Sequence, residues 1–260
     1  MKVSIVLLVK SLLLVFMSAQ VMAASQSSIS IGYEQSSGNY GSTEETKSTS
    51  IPLRIKYTDN AWGFKLSIPY LSVTGDGSVI PSGSGSRKAS FTGGPLSGVS
   101  TQSGLGDVVG SVTYSISPKK SYMYYELATE VKFGTASVKD KLGTGEHDVS
   151  LSLYSEYEKR AVKPFWVLGY TVIGDTKTTD FNDVFFITAG INYQMNAKTL
   201  MSLSYDYQQA TIDGEENAEV MGLSFSRKIN KKWLTNFYLT KGLSDSVADT
   251  GLGVGLVRKF

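Results

Sequence analysis

The sequence predicts an all-β protein: a transmembrane antiparallel β-barrel of about twelve strands, with N- and C-termini at the same, periplasmic, end. Three observations predict it. Apolar and polar residues alternate over stretches of about ten residues, repeatedly, with no helical period between them. The connections between these stretches alternate between tight polar turns and mostly longer segments. Aromatic residues collect near the ends of the stretches, on their apolar parity.

The chain opens with MKVSIVLLVKSLLLVFMSAQVMA, which places Lys2 and Lys10 before and within an apolar run that closes on the small residues Val21 and Ala23. This reads as a secretory signal peptide, residues 1–23, cleaved after Ala23. The uncharged run after Lys10 is only about 7 to 13 residues, short of the roughly 20 that a spanning helix needs. The barrel is then expected over residues 24–260, exported to the cell outer membrane of a Gram-negative cell. Cleavage removes two basic side chains and leaves as many as the 23 acidic ones, so no net field recommends nucleic acid as a partner. The chain has no cysteine and a single histidine, His147. Disulfides and thiolate sites are thereby excluded, a histidine metal cluster is disfavoured, and no cofactor is expected.

The period-two pattern gives strands at 27–35, 46–57, 61–73, 104–116, 121–133, 146–158, 163–174, 182–195, 199–211, 217–229, 233–242 and 249–260. In the fifth, Met123, Tyr125, Leu127, Val131 and Phe133 oppose Tyr124, Glu126, Glu130 and Lys132. In the eighth, Phe185, Ile187, Ala189, Ile191 and Tyr193 oppose Thr188, Gly190, Asn192 and Gln194, and in the ninth Met201, Leu203, Tyr205 and Tyr207 oppose Ser202, Ser204, Asp206 and Gln208. Strand length separates a membrane barrel from a soluble sandwich. Ten or eleven residues at about 3.3 Å each, tilted by about 45°, rise roughly 24 Å, the height of an outer-membrane apolar band.

Tight turns such as TDNA, SPKK, EKRAV, MNAK and NKK follow the even-numbered strands, as expected if every short turn is periplasmic. Trp62, Trp166 and Trp233 begin ascending strands, and Tyr57, Tyr157 and Tyr193 end descending ones, which predicts one membrane-interface girdle at that level; Tyr33, Tyr70, Phe133 and Tyr207 mark the other. The final stretch, GLGVGLVRKF, puts Leu252, Val254, Leu256, Arg258 and Phe260 on one parity and is expected to close the barrel against the first strand, removing an edge that lipid does not solvate. A carboxy-terminal phenylalanine on such a strand resembles the signal by which the outer-membrane barrel assembly machinery receives its substrates, so Phe260 is expected to carry that signal. Arg258 stands where an aromatic or aliphatic residue is usual in that signal.

Two further stretches carry a resemblance. SGLGDVVGSVTYSI (Ser103 to Ile116) followed by EVKFGTASVKDKLGTGEHDVSLSLYSEYEK (Glu130 to Lys159) resembles the family of outer-membrane transporters named for the meta pathway (MetA) of phenol degradation. That family carries a Gly-Leu-Gly-Asp strand start, a lysine strand, a Leu-Gly-Thr-Gly loop and a descending strand; this chain has Phe133, Gly134 and Thr135 where Pro-Thr-Gly is usual. The resemblance implies a barrel that takes up small or aromatic compounds.

The polar parity of the strands places Arg54, Lys56, Lys65, Glu126, Glu130, Lys132, Asp148, Glu156 and Asp206 toward the lumen. Such rings either select solutes by charge and size or bridge one another and fill the interior, and both readings stay open here. The glycine-rich GLGTGEHD lacks the following helix that a phosphate loop needs, so Gly143 and Gly145 are expected to turn an outer loop. Residues 75–104, rich in Gly and Ser, either fold inward as a constriction or stay mobile outside, and the mobile outer loop is the favoured expectation.

An enzyme is the competing class. His147 sits in Glu-His-Asp-Val-Ser and lacks the His-x-Ser-Asn arrangement of the phospholipase barrel, so it reads as a solvated loop residue. Glu126 and Glu130 lie ~13 Å apart along a strand, too far for a glycosidase pair. The expectation is therefore a non-enzymatic channel for passive passage of small solutes, with outer-membrane lipids, the assembly machinery and an unidentified small molecule as partners. The alternatives are a structural or surface-interaction barrel without an open pore, and an outer-membrane hydrolase.

Overall fold

The computed structural model describes residues 25–77, 79–81, 89–91, 98–118 and 121–260; the segment read as a signal peptide, 1–23, lies outside the described residues. Fifteen strands are formed: β1 (Gln26–Gly38), β2 (Thr46–Asp59), β3 (Trp62–Gly75), β4 (Val79–Pro81), β5 (Ala89–Phe91), β6 (Ser100–Leu105), β7 (Val108–Ile116), β8 (Met123–Phe133), β9 (Asp148–Tyr157), β10 (Val162–Val172), β11 (Val184–Asn196), β12 (Thr199–Gln208), β13 (Ala218–Lys228), β14 (Trp233–Gly242) and β15 (Thr250–Lys259). β4 and β5 form a separate hairpin, and the remaining strands run antiparallel around a closed barrel in which β6 and β7 together make one stave, giving twelve.

Closure is made by β1 and β15, paired from Ser28↔Lys259 to Ser37↔Thr250. Phe260 extends the seam, its N–H donating to the carbonyl of Ser27 at 3.0 Å. The pairing satisfies the N–H and C=O groups of both edges, which hydrocarbon would leave unpaired at several kcal/mol each.

Alternation divides each stave into two faces. Ile29, Ile31, Leu53, Ile55, Leu151, Leu153, Leu252, Val254 and Leu256 are all exposed and all on one parity. So continuous an apolar belt is incompatible with water as the surrounding medium. On the opposite parity, side chains touch across an intervening stave: Asn192 of β11 reaches Glu156 of β9, and Lys65 of β3 reaches Glu130 of β8. Only the concave face of a narrow cylinder permits such contacts.

Two features depart from expectation. The fourth stave begins at Ser100 and breaks at Gly106 and Asp107, where one extra residue separates the β3–β6 register (Tyr70↔Leu105) from the β3–β7 register (Ser67↔Val109). This is a β-bulge, which re-aims the side chains around it. The second is local: within residues 75–104, β4 and β5 pair as a short hairpin and Val79 and Ile80 are buried, which the Gly/Ser-rich composition does not announce.

The end with the long connections carries two apolar clusters among the described residues. There the inward parity of β3 turns apolar, and Leu71 and Val73 pack with Ala136 and Leu142 from the connection between β8 and β9. A second apolar core joins Ile173, Phe181 and Val184, with Ile212 against it. These residues bring the connections after β8, β10 and β12 onto the barrel rim.

Candidate functional site

One stretch of the lumen wall centres on staves β8 to β11. Tyr124 donates from its hydroxyl to Glu126 at 3.0 Å, and lies 2.9 Å from the Ser115 hydroxyl. One stave on, Tyr154 donates to Glu156 at 2.8 Å. Glu156 is buried and also accepts from Asn192 Nδ2 at 2.5 Å, while Lys163 Nζ stands 3.6 Å from its other oxygen. The Tyr124 and Tyr154 rings meet edge to face at 6.0 Å, and Phe165 stacks on Tyr154 at 5.7 Å. Asn192 Oδ1 in turn accepts from Ser202. The wall thus alternates aromatic faces with hydrogen-bonded carboxylates, in fixed orientation.

Glycine makes room for these rings. A Cβ at Gly190 would come within 2.5 Å of Phe165, and one at Gly169 within 2.2 Å of Phe186. On β15 the inward glycines do the same for β14: a Cβ at Gly253 would meet the Tyr238 ring at 2.2 Å. Tyr238 thereby lies across Gly253 of β15 from Glu34 of β1, and Glu34 holds Arg54 of β2 at 2.6 Å.

A third cluster lies toward the long connections. Lys132 stands 3.0 Å from Asp148 and 3.6 Å from Asp107. Asp107, buried in the bulge, accepts from the backbone N–H groups of Thr135 and Ala136, each at 2.9 Å. This caps the connection between β8 and β9 where it turns inward. Gly104 and Gly143 complete the fit, since a Cβ at Gly104 would meet Leu142 at 2.9 Å and one at Gly143 would meet Ala136 at 2.7 Å. Gly143 therefore serves close packing and not the turn expected of it; Gly145, at φ +78°, has the turning backbone.

The residues singled out from sequence fall as follows. Arg54, Glu156, Lys132, Asp148 and the Lys65–Glu130 pair at 3.3 Å belong to the networks above, and Glu126 to the aromatic wall. Asp206 accepts from Thr188 at 2.5 Å and from Ser204 at 3.2 Å. Lys56 is exposed on the face of Arg54, in register with Lys65. His147 is exposed, accepts from the Gly134 N–H at 3.2 Å through Nδ1, and stands edge-on to Phe133. It supports the loop. Sequence reasoning missed Glu34, Lys163, Phe165, Phe186, Asn192 and Tyr238 as members of the site, and Asp107 as the loop's anchor. Its one available signal was glycine on the inward parity of β15, which requires a large neighbour only once the register is known.

At the girdle level, Trp62 packs on Tyr114 at 4.8 Å, Tyr57 on Phe64 at 6.4 Å and Tyr157 on Tyr122 at 6.1 Å. Trp166 and Tyr193 lie exposed on the outward parity. Arg258, the unusual residue near the chain end, sits over the Trp233 ring at 5.5 Å and the Phe260 ring at 5.2 Å.

No family model matches this chain, and no curated protein matches its sequence. Solved structures match over nearly the whole barrel. An outer-membrane channel from Pseudomonas putida F1 aligns with 95% of this chain and 98% of its own, at TM-score 0.66 and 12% identity. The NanC porin aligns with 90% of this chain and 100% of its own, at TM-score 0.55 and 10% identity. For the KdgM porin the figures are 89%, 99%, 0.53 and 11%. At these identities the likeness shows the fold alone: the chain folds as an outer-membrane β-barrel.

Proposed function

We propose that this barrel is a channel through which small polar and aromatic solutes cross the outer membrane passively, without cofactor or covalent chemistry. The observation that carries the reading is the wall of Tyr124, Tyr154 and Phe165 interleaved with Glu126 and Glu156. Aromatic faces offer stacking to a passing ring, and fixed carboxylates and amides offer hydrogen bonds that replace its water. The resemblance of the solved structures, named as a channel and as porins, supports the same reading. We place both chain ends in the periplasm, with the short turns.

Membership of the transporter family named for the meta pathway draws support from the way its two resembling stretches interlock. Gly104 and Asp107 of the first receive Leu142, Thr135 and Ala136 of the second. A small aromatic carboxylate or phenol is the corresponding solute class. The test is solute flux into liposomes holding the purified barrel, comparing a small sugar, a phenol and a large oligosaccharide. Flux of the first two but not the third is the expected result, and no flux above empty liposomes contradicts it. A second reading, a closed barrel whose loops do the work, is favoured by the two apolar cores at the long-connection end. It predicts no flux of any solute.

A further inference from the structure

The near-balanced net charge hides a strongly uneven rim. At the short-turn end, three neighbouring segments carry basic residues close together: the turn holding Lys198, the end of β13 with Arg227 and Lys228 and the turn holding Lys231 and Lys232, and the end of β15 with Arg258 and Lys259. Their backbones are joined directly, Lys228 N–H donating to the Lys198 carbonyl and Lys259 N–H to the Lys232 carbonyl, both at 2.8 Å. No Asp or Glu side chain occurs in residues 194–200, 225–236 or 252–260. Among the described residues, no ion pair neutralises these cations, and the next turn along, between β9 and β10, adds exposed Lys159 and Arg160 beside the Lys163–Glu158 pair at 3.5 Å. Between β2 and β3 the rim carries Asp59 and Asn60 instead. The charge therefore forms a crescent that is densest from β12 to β15, continues to the β9–β10 turn and is missing between β2 and β3.

The crescent also faces outward. Arg227 and Arg258 share the parity of the exposed apolar belt, one continuing from Leu223 and Phe225, the other from Val254 and Leu256. The Arg258 guanidinium is held over the Trp233 and Phe260 rings, at the level where interfacial aromatics sit. A fixed guanidinium just beyond the hydrocarbon, with several exposed ammonium groups behind it, matches a layer of phosphate oxygens: arginine binds phosphate bidentately, and lysine supplies charge. Such clusters at a membrane surface concentrate anionic lipids within about a Debye length.

We infer that the rim formed by Lys198, Arg227, Lys228, Lys231, Lys232 and Arg258 is a binding surface for anionic phospholipid headgroups, which orders a shell of acidic lipid against β12 to β15. The inference stands apart from solute passage, because it concerns the outer face.

The test uses the tryptophans as local reporters. A Trp62→Phe/Trp166→Phe protein keeps only Trp233, inside the crescent; a Trp166→Phe/Trp233→Phe protein keeps only Trp62, on β3 beside the turn that carries Asp59. Each is reconstituted in mixed phosphatidylcholine and phosphatidylglycerol, with one or the other lipid brominated to quench nearby fluorescence. Brominated phosphatidylglycerol should quench Trp233 at least about twofold more than brominated phosphatidylcholine at equal mole fraction and low salt, while Trp62 shows no preference. About 1 M salt should abolish the difference, as should Lys198→Gln, Lys228→Gln, Lys231→Gln and Lys232→Gln combined. Equal quenching of Trp233 by the two lipids, an equal preference at Trp62, or a preference that survives high salt overturns the inference. Should the four-glutamine protein fail to fold, the salt series on the Trp233 protein decides. Solute flux is read in the same vesicles, so failure here and failure of the channel reading are separable.

Discussion

Tyr238 lies across Gly253 so closely that a Cβ on the glycine would stand 2.2 Å from the ring. Replacing Gly253 with Ala forces the ring off its seat between β14 and Glu34 of β1. The expected loss is about 1–3 kcal/mol, the usual cost of overpacking. Urea midpoints of refolding into lipid vesicles measure it. Adding Tyr238→Ala should recover part of the loss, because the two changes share one contact.

Asp107 should be the most sensitive position of the rim. Its carboxylate is buried, accepts two backbone N–H groups and stands near Lys132. Asp107→Ala takes the acceptor from the Ala136 N–H, leaves the Thr135 N–H only the Phe133 carbonyl at 2.8 Å, and should cost about 3–5 kcal/mol, as breaking a buried ion pair does. Limited proteolysis within residues 134–147 should become faster than in the parent protein. Equal cleavage rates would remove Asp107 from its role as the anchor of that segment.

Neutralising the carboxylates of the aromatic wall should shift ion preference. With Glu126→Gln and Glu156→Gln, the reversal potential under a salt gradient should move toward anions, and with Arg54→Gln it should move toward cations. Unchanged reversal potentials would mean that ions do not pass these residues.

Alkaline pH should loosen the connection between β1 and β2. Burial pushes the Tyr40 hydroxyl up to about 12, with the Asp249 carboxylate adding to the effect and a hydrogen bond with Ser36 opposing it. A phenol is neutral when protonated, so below pH of about 10 neither the folded nor the unfolded chain ionises there, and stability is unaffected. Between about pH 10 and 12 the unfolded chain releases the proton and the folded one retains it. Stability should fall by up to about 3 kcal/mol across that window. Comparing urea midpoints at about pH 9 and 11 tests this, and Tyr40→Phe should flatten the slope.

The barrel was legible in the sequence because period-two alternation is a local property. Ile29, Ile31 and Tyr33, or Leu252, Val254 and Leu256, announce an outward face without knowledge of any partner, and the last strand does pair with the first. What escaped depends on register. Glu34 matters because Arg54 and Tyr238 converge on it from two other staves, and Phe186 is tolerated because Gly169 faces it. Nor does alternation reveal the bulge at Gly106 and Asp107, where the pattern slips by one residue. The β4–β5 hairpin within residues 75–104 escaped for a different reason: Val79 and Ile80 are too few to register against the surrounding glycine and serine, yet both are buried.

Single-channel current across a planar bilayer tests the central claim most directly. Folded barrel, verified by heat-modifiable gel mobility, should give discrete conductance steps whose size changes when Glu156 or Arg54 is replaced. Silence at every applied voltage from the same folded material would contradict a solute-conducting lumen and leave the loops as the working part of the molecule.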